Sequence, residues 1–158
     1  MKLKYFFSLL IVTAFLSSYI SGYDGLKIGQ IAPDIELNDI KISDNIKVKT
    51  PGKYQLINFW SPKNPDSRIK NMEYYRFFKN QDNREVEFLS ICTDPDEKLM
   101  KETLLVDGVD SSFNLSFSQV SDRVFKDFDI DNFRKAVLIN PEGKIVAFSP
   151  SLESLEKM

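Results

Sequence analysis

A strand that runs directly into a helix start, between positions 54 and 68, constrains this chain more than any other feature. Positions 56–60 read Leu-Ile-Asn-Phe-Trp, an almost continuous apolar run that is typical of a strand covered on both faces of a sheet. Pro62 then ends the strand, and Asn64 is a suitable helix N-cap. Pro65 suits the first helical position, and Asp66 places a carboxylate near the positive end of the helix dipole. The segment therefore predicts a strand, a polar turn and a helix.

The same segment resembles a known family. Positions 59–68 read Phe-Trp-Ser-Pro-Lys-Asn-Pro-Asp-Ser-Arg. This frame is similar to the strand, Phe-Trp, short turn, Cys-Pro-Pro-Cys-Arg and helix of extracytoplasmic thioredoxin-like proteins of the TlpA/ResA type, which are related to the AhpC/TSA proteins. The resemblance implies an α/β thioredoxin-like fold with a central mixed β-sheet flanked by helices. It also implies a degenerate redox motif, Asn64-Pro65-Asp66-Ser67, because the two redox cysteines align with Asn64 and Ser67.

A second resemblance covers positions 128–146, which are similar to the family pattern Tyr-Gly-Val-x-Gly-x-Pro-Thr-x-Phe-Leu-Ile-Asp-x-x-Gly-x-Ile. Two antiparallel strands are expected at 137–139 and 144–148, joined by an Asn-Pro-Glu-Gly turn. The family's cis-proline, which faces the dithiol in active relatives, aligns with Arg134. Because a non-proline cis bond costs about 3 kcal/mol, the bond before Arg134 is expected to be trans. A second part of the redox site is then missing.

The other segments predict a single domain built around this frame. Positions 28–37 resemble the Gly-x-x-Ala-Pro opening that the family shares with peroxiredoxins, and we expect them at a sheet edge. Alternating residues at 41–49 predict an N-terminal β-hairpin extension. The helix after Pro65 carries an apolar stripe predicted to pack on the sheet, formed by Ile69, Met72, Tyr75 and Phe78 and widened by Tyr74 and Phe77. The remaining predictions are a strand at 86–92, a helix at 96–106 ended by Gly108, a short strand at 112–117, a helix at 122–128 and a closing helix at 151–157.

The N-terminus has the pattern of an export signal. Lys2 and Lys4 precede an apolar stretch at 5–16 and small residues at 17–22, so we expect a signal peptide over 1–22 and a thioredoxin-like domain over 23–158. The apolar stretch is too short for a stable membrane span, and no cysteine between 17 and 25 offers a lipid attachment site. We therefore expect a periplasmic or secreted protein. Cleavage would move the net charge from −2 to −4, since the signal holds two lysines and no acid, and this argues against a nucleic-acid partner.

Residue types limit the possible chemistry. The chain has no histidine, which excludes Ser/His and Cys/His catalysis and histidine metal sites. Dithiol exchange needs a thiolate at the helix start and a second thiol three residues later, and a serine without a base cannot replace a thiolate. An oxygen-ligand metal site from Asp66 with Asp94 or Asp129 is conceivable, but aspartates in loops are usually solvated. We expect no catalytic residue of the dithiol type, no metal and no cofactor.

Cys92, the one cysteine, has two interpretations. It is either a small buried hydrophobe at the end of the second strand, which we prefer, or a lone reactive thiol.

Two main hypotheses follow for function. The first is a redox-inactive thioredoxin-like domain that binds an exported protein or peptide, or serves as a scaffold. In it, Arg134 pairs with Asp66 and fills the former peptide groove; if the groove is open instead, Trp60, Lys63 and Arg134 are candidate contacts for an acidic or peptide ligand. The second is a thiol-disulfide oxidoreductase or antioxidant-type protein that acts through Cys92. A variant of the first is that the domain is one part of an exported complex.

Overall fold

A five-stranded mixed sheet organises the molecule. A computed structural model describes residues 25–38, 48, 50–80, 85–130 and 136–158. The strand order is β3-β2-β1-β4-β5. The strands are β1 (Tyr54–Trp60), β2 (Val86–Cys92), β3 (Asn114–Leu115), β4 (Ala136–Ile139) and β5 (Ile145–Phe148).

The central strand is β1, as its apolar composition predicts. It pairs in parallel with β2 along its whole length and antiparallel with β4. In the register of the parallel pair, Trp60 lies beside Cys92, so both strands end at the same edge of the sheet. All of β1 after Tyr54 is buried, which is the environment expected for a strand covered on both faces.

Within the described residues, four α-helices connect and cover the strands, and their bounds agree closely with the predicted ones. They are α1 (Pro65–Lys79), α2 (Glu97–Asp107), α3 (Asp122–Asp127) and α4 (Leu152–Glu156). At the end of α2, Gly108 adopts the left-handed conformation with φ of 67°, and its N–H bonds back to the carbonyls of Leu104 and Leu105. Short 3₁₀ turns at Ser111–Phe113 and Phe117–Gln119 replace the outer parts of the strand predicted at 112–117.

Each face of the sheet has its own core. One core contains Tyr74, Tyr75 and Phe78 of α1 together with side chains from α2 and α4. The other contains Val124 of α3 and is covered by apolar residues of the N-terminal segment. The predicted stripe on α1 is wrong at Ile69, which is 50% exposed, whereas the buried polar residue Asn71 takes a place under the helix. Leu105 and Val106 are also exposed.

The N-terminal segment lies at a sheet edge, as predicted. Gly29 N–H donates to the carbonyl of Ile145 at 2.7 Å, and Ala32 N–H donates to that of Gly143 at 2.9 Å. Further on, Leu37 forms a bridge with Val120 near β3. The hairpin predicted at 41–49 and the signal peptide predicted at 1–22 fall outside the described residues. No described helix is both long enough and apolar enough to cross a membrane.

Candidate functional site

The degenerate motif forms the start of α1, where its asparagine caps the helix. Asn64 has extended backbone angles, and its side-chain oxygen accepts the N–H of Ser67 at 3.0 Å. Pro65 occupies the first turn, where no backbone donor is needed. The N–H of Ser67 is one of the donors that a helix start can offer to an anion, but here it already donates to the side-chain oxygen of Asn64.

The Ser67 side chain hydrogen-bonds to the backbone of the turn. It is buried, and its Oγ accepts the Ser61 N–H at 3.1 Å. The same hydroxyl lies 3.0 Å from the carbonyl oxygen of Asn64 and 3.2 Å from that of Ser61, so it can donate to either. The position that aligns with the second cysteine is therefore part of the hydrogen bonding of the turn, and no base accompanies it among these contacts.

Trp60, a predicted groove contact, lies in the core. Its side chain is 1% exposed, and its indole Nε1 donates to the side-chain oxygen of Asn114 at 3.1 Å. The Asn114 amide nitrogen in turn donates to the carbonyl of Asp110 at 3.1 Å. Trp60 thus links the end of β1 to β3 and presents no surface to a ligand.

Lys63, the other predicted groove contact within the described residues, is held by an ion pair. Its exposed ammonium lies 2.9 Å from a carboxylate oxygen of Asp94, whose side chain is buried. Asp94 also accepts the N–H of Asp96 at 3.0 Å. Burial opposes ionisation of Asp94, but the Asp96 N–H and the Lys63 ammonium outweigh it and lower the pKa of this carboxyl. The hydrogen bond to Asp94 and its negative charge raise the pKa of Lys63.

Cys92 lies at the same sheet edge, one strand away from Trp60, and is completely buried. Its Sγ is 3.7 Å from the carbonyl oxygen of Asp94, a weak S–H···O contact. Burial raises the pKa of the thiol to about 11, and the hydrogen bond to the Asp94 backbone, with a smaller effect from the positive charge of Lys63, offsets only part of this rise. The buried position agrees with the interpretation of Cys92 as a small buried hydrophobe.

The remaining motif residues lie at the surface or outside the described residues. Asp66 is exposed in the first turn of α1. Arg134 falls within 131–135, outside the described part of the chain, so its pairing with Asp66 stays a prediction. The arginine that ends the motif, Arg68, makes two hydrogen bonds of 2.5 and 2.6 Å to Asp107 and joins α1 to the end of α2. Across the described positions, no group of three histidine, cysteine, aspartate or glutamate residues is placed to hold a metal ion.

A buried polar network beneath α1 was not predicted from the sequence. The Oδ1 atom of Asn71 accepts the Asn58 amide at 3.1 Å and the Ser90 hydroxyl at 2.5 Å. These three residues are all buried. One signal was present, because Asn58 interrupts the apolar run of β1, and a polar residue in a buried strand needs a partner.

A second missed cluster lies where β3 ends and α2 begins. The carboxylate of Glu97 accepts the hydroxyls of Ser116, at 3.1 Å, and Ser118. The hydrogen bonds from Ser118 and Ser116, with a smaller effect from Lys101, lower the pKa of Glu97.

The fold is shared with solved structures of redox proteins. A thioredoxin-like protein from Parabacteroides distasonis is 27% identical over 84% of this chain and 94% of that chain, with a TM-score of 0.69. The C-terminal domain of a protein described as a thiol-disulfide oxidoreductase from Bacteroides thetaiotaomicron is 26% identical over 83% and 92% of the two chains, with a TM-score of 0.64. StoA from Bacillus subtilis is 14% identical over 70% and 84%, with a TM-score of 0.58, and supports the fold alone.

No protein-family model and no curated protein matches the sequence. The predicted thioredoxin-like fold is nevertheless confirmed by the sheet, its flanking helices and these likenesses. The chain therefore has a thioredoxin-like fold, resembles thiol-disulfide oxidoreductases and contains a single cysteine.

Proposed function

We propose that this protein is an exported thioredoxin-like domain that has lost dithiol exchange and serves as a binding or scaffold protein. The supporting observation is the capped turn. Asn64 and Ser67 align with the two cysteines of active relatives, and here their side chains are used in hydrogen bonds to each other's backbone. Without a thiolate at the helix start, the first step of dithiol exchange has no nucleophile. The partner that we propose is an exported protein or peptide, and the predicted signal peptide supports a location in the periplasm or outside the cell.

We further propose that Arg134 supplies a cation at the former peptide groove, where it pairs with Asp66. A double-mutant cycle with Asp66→Asn and Arg134→Gln tests this pair through urea unfolding. A coupling energy of a few tenths of a kcal/mol or more, falling with added salt, would support it. Additive effects of the two substitutions would refute the pairing and favour an open groove.

Turnover decides between the proposal and its alternative. Insulin reduction and oxidation of a scrambled substrate are measured on the wild-type chain and its Cys92→Ser variant, with an active thioredoxin as the positive control. We expect no turnover from either form of this protein. Turnover that disappears in Cys92→Ser would overturn the proposal and assign the activity to a one-thiol mechanism.

The alternative has one observation in its favour, which is that Cys92 lies at the same sheet edge as the degenerate motif. In this second candidate function, the thiolate of Cys92 attacks a partner disulfide, forms a mixed disulfide and releases the other partner sulfur as a thiolate. Its burial and its pKa of about 11 oppose that step at neutral pH.

A further inference from the structure

The last residue of α2 is an aspartate followed by a glycine, Asp107-Gly108, and this dipeptide has a reactivity of its own. The glycine nitrogen can attack the side-chain carboxyl carbon of the aspartate, because glycine has no side chain to obstruct the approach. The amide proton and one carboxyl oxygen leave as water, with a second proton from solvent, and a succinimide ring forms. Water then opens the ring at either carbonyl, which gives aspartate or isoaspartate.

Arg68 of α1 holds the Asp107 carboxylate in a different position from the one this attack needs. Its Nε donates to Oδ2 at 2.6 Å and its Nη2 donates to Oδ1 at 2.5 Å, so the guanidinium fork engages both oxygens. The Asp107 side chain is only 7% exposed. Turning the carboxyl carbon onto the next amide nitrogen therefore requires both of these hydrogen bonds to break.

The attacking nitrogen is also held. The Gly108 N–H donates to the carbonyls of Leu104 and Leu105 at the left-handed end of α2, and the Val109 N–H donates to the carbonyl of Leu104 at 2.9 Å. Val109 is buried in the core that α1 and α2 cover. Isoaspartate would add one carbon to the backbone between α2 and this buried residue, so the modified chain has to shift either the helix end or Val109.

We propose that Asp107-Gly108 is a site of spontaneous isoaspartate formation, and that the reaction proceeds when the Arg68–Asp107 ion pair opens. Arg68 is a positioning residue here, because it acts through the carboxylate that it holds. Chains in which α1 and the end of α2 stay joined keep the aspartate, and chains in which they separate accumulate isoaspartate with time. This proposal does not rest on the proposed binding function, because it concerns the chemistry of the chain itself.

The test follows the isoaspartate content of position 107 in the folded full chain over several weeks at neutral pH. Peptide mapping with fragmentation that distinguishes the two isomers gives the rate. Arg68→Ala removes both hydrogen bonds to the carboxylate, and we expect formation to become about three- to tenfold faster, as for loss of a well-aligned but partly exposed pair. The wild-type chain unfolded in urea gives the unrestrained rate, which we expect to be about tenfold or more above the folded one.

Lys53→Ala is the matched control. Lys53 forms a 3.1 Å ion pair with Glu87 that also joins two segments and is also partly buried, but it involves neither α1 nor α2. Its loss should leave the rate at position 107 unchanged. Circular dichroism and urea unfolding establish that each variant is folded under the conditions of the incubation, and Arg68→Gln, which keeps the stem of the side chain, replaces Arg68→Ala if that variant does not fold.

Equal rates in the folded wild type, the Arg68 variant and Lys53→Ala would overturn the role of the ion pair. A folded wild-type rate equal to the rate in urea would do the same, because the fold would then impose no restraint. Absence of isoaspartate at position 107 even in the unfolded chain would remove the site altogether.

Discussion

Restoring the two cysteines tests whether the degenerate turn keeps the geometry of a redox site. The changes are Asn64→Cys and Ser67→Cys in a Cys92→Ser background, which places two thiols three residues apart at the start of a 15-residue helix. The helix dipole stabilises a charge at this end by about 0.3–1 kcal/mol, rising to about 2 kcal/mol in partly buried geometries, and one pKa unit corresponds to about 1.4 kcal/mol. The thiol at position 64 should therefore have a pKa near about 7.5, roughly one unit below an ordinary cysteine.

The same changes have a cost that the structure identifies. Removing the Asn64 cap costs about 1 kcal/mol of folding free energy. Removing the Ser67 hydroxyl leaves the Ser61 N–H without its acceptor, which costs about 1–3 kcal/mol. We expect the reduced variant to be about 2–4 kcal/mol less stable than the parent, and disulfide formation to recover part of this loss.

Alkylation rate against pH gives the pKa of the thiol at position 64, and equilibration with glutathione gives the reduction potential. We expect a disulfide to form readily and insulin reduction to be slow, because arginine occupies the aligned position of the cis-proline. The two single cysteine variants in the same background serve as controls and should not turn over. A folded double variant that forms no disulfide, or a thiol with an ordinary pKa, would show that the backbone of the turn has diverged along with its side chains.

Three stability predictions can be checked by urea unfolding. Asn71→Ala leaves the buried Asn58 amide without its acceptor and leaves the Ser90 hydroxyl only a 3.5 Å contact with the carbonyl of Asn58. It should cost about 1–3 kcal/mol, and a cost well below about 1 kcal/mol would show that water replaces the amide. Gly108→Ala should cost about 1 kcal/mol because alanine is strained at the φ of 67° found there. An increase in stability, from the higher helix propensity of alanine, would contradict this expectation. Acid should also destabilise the protein: the folded-state pKa values of Asp94 and Glu97 lie below the ordinary 3.8 and 4.5, so their contribution is complete above those values and is lost as the pH falls from about 5 through the folded values. The substitution Asp94→Asn should reduce this loss, and an unchanged acid profile would contradict the assignment.

Local signals were sufficient for most of the architecture. Three consecutive residues, Asn64, Pro65 and Asp66, predict the start of α1, and the helix begins at Pro65 in the structure. Gly108 likewise ends α2, because its left-handed conformation disfavours other residues. Such features depend on residues adjacent in the sequence, so they can be predicted from one sequence alone.

Contacts between distant segments were harder to predict. The Lys63–Asp94 pair joins positions 31 residues apart and exists because β1 and β2 end side by side. The network around Asn71 forms only if α1 is rotated about its own axis so that Asn71 faces β1 and β2. The predicted stripe included Ile69, which is exposed, and therefore implied a slightly different rotation of the helix. Sequence periodicity gives the buried face to within about one residue, whereas side-chain pairing requires the packed structure.

The hydrogen bond between the Trp60 indole and the Asn114 side chain matters if this protein is produced in a eukaryotic secretory host. Asn114-Leu-Ser116 is an acceptor sequence for N-linked glycans, but the amide is buried and both of its polar atoms are bonded to the protein. The folded domain cannot present this nitrogen to a glycosyltransferase. A glycan at this position would mark chains modified before the sheet closed, and its occupancy would report how fast folding proceeds relative to glycosylation.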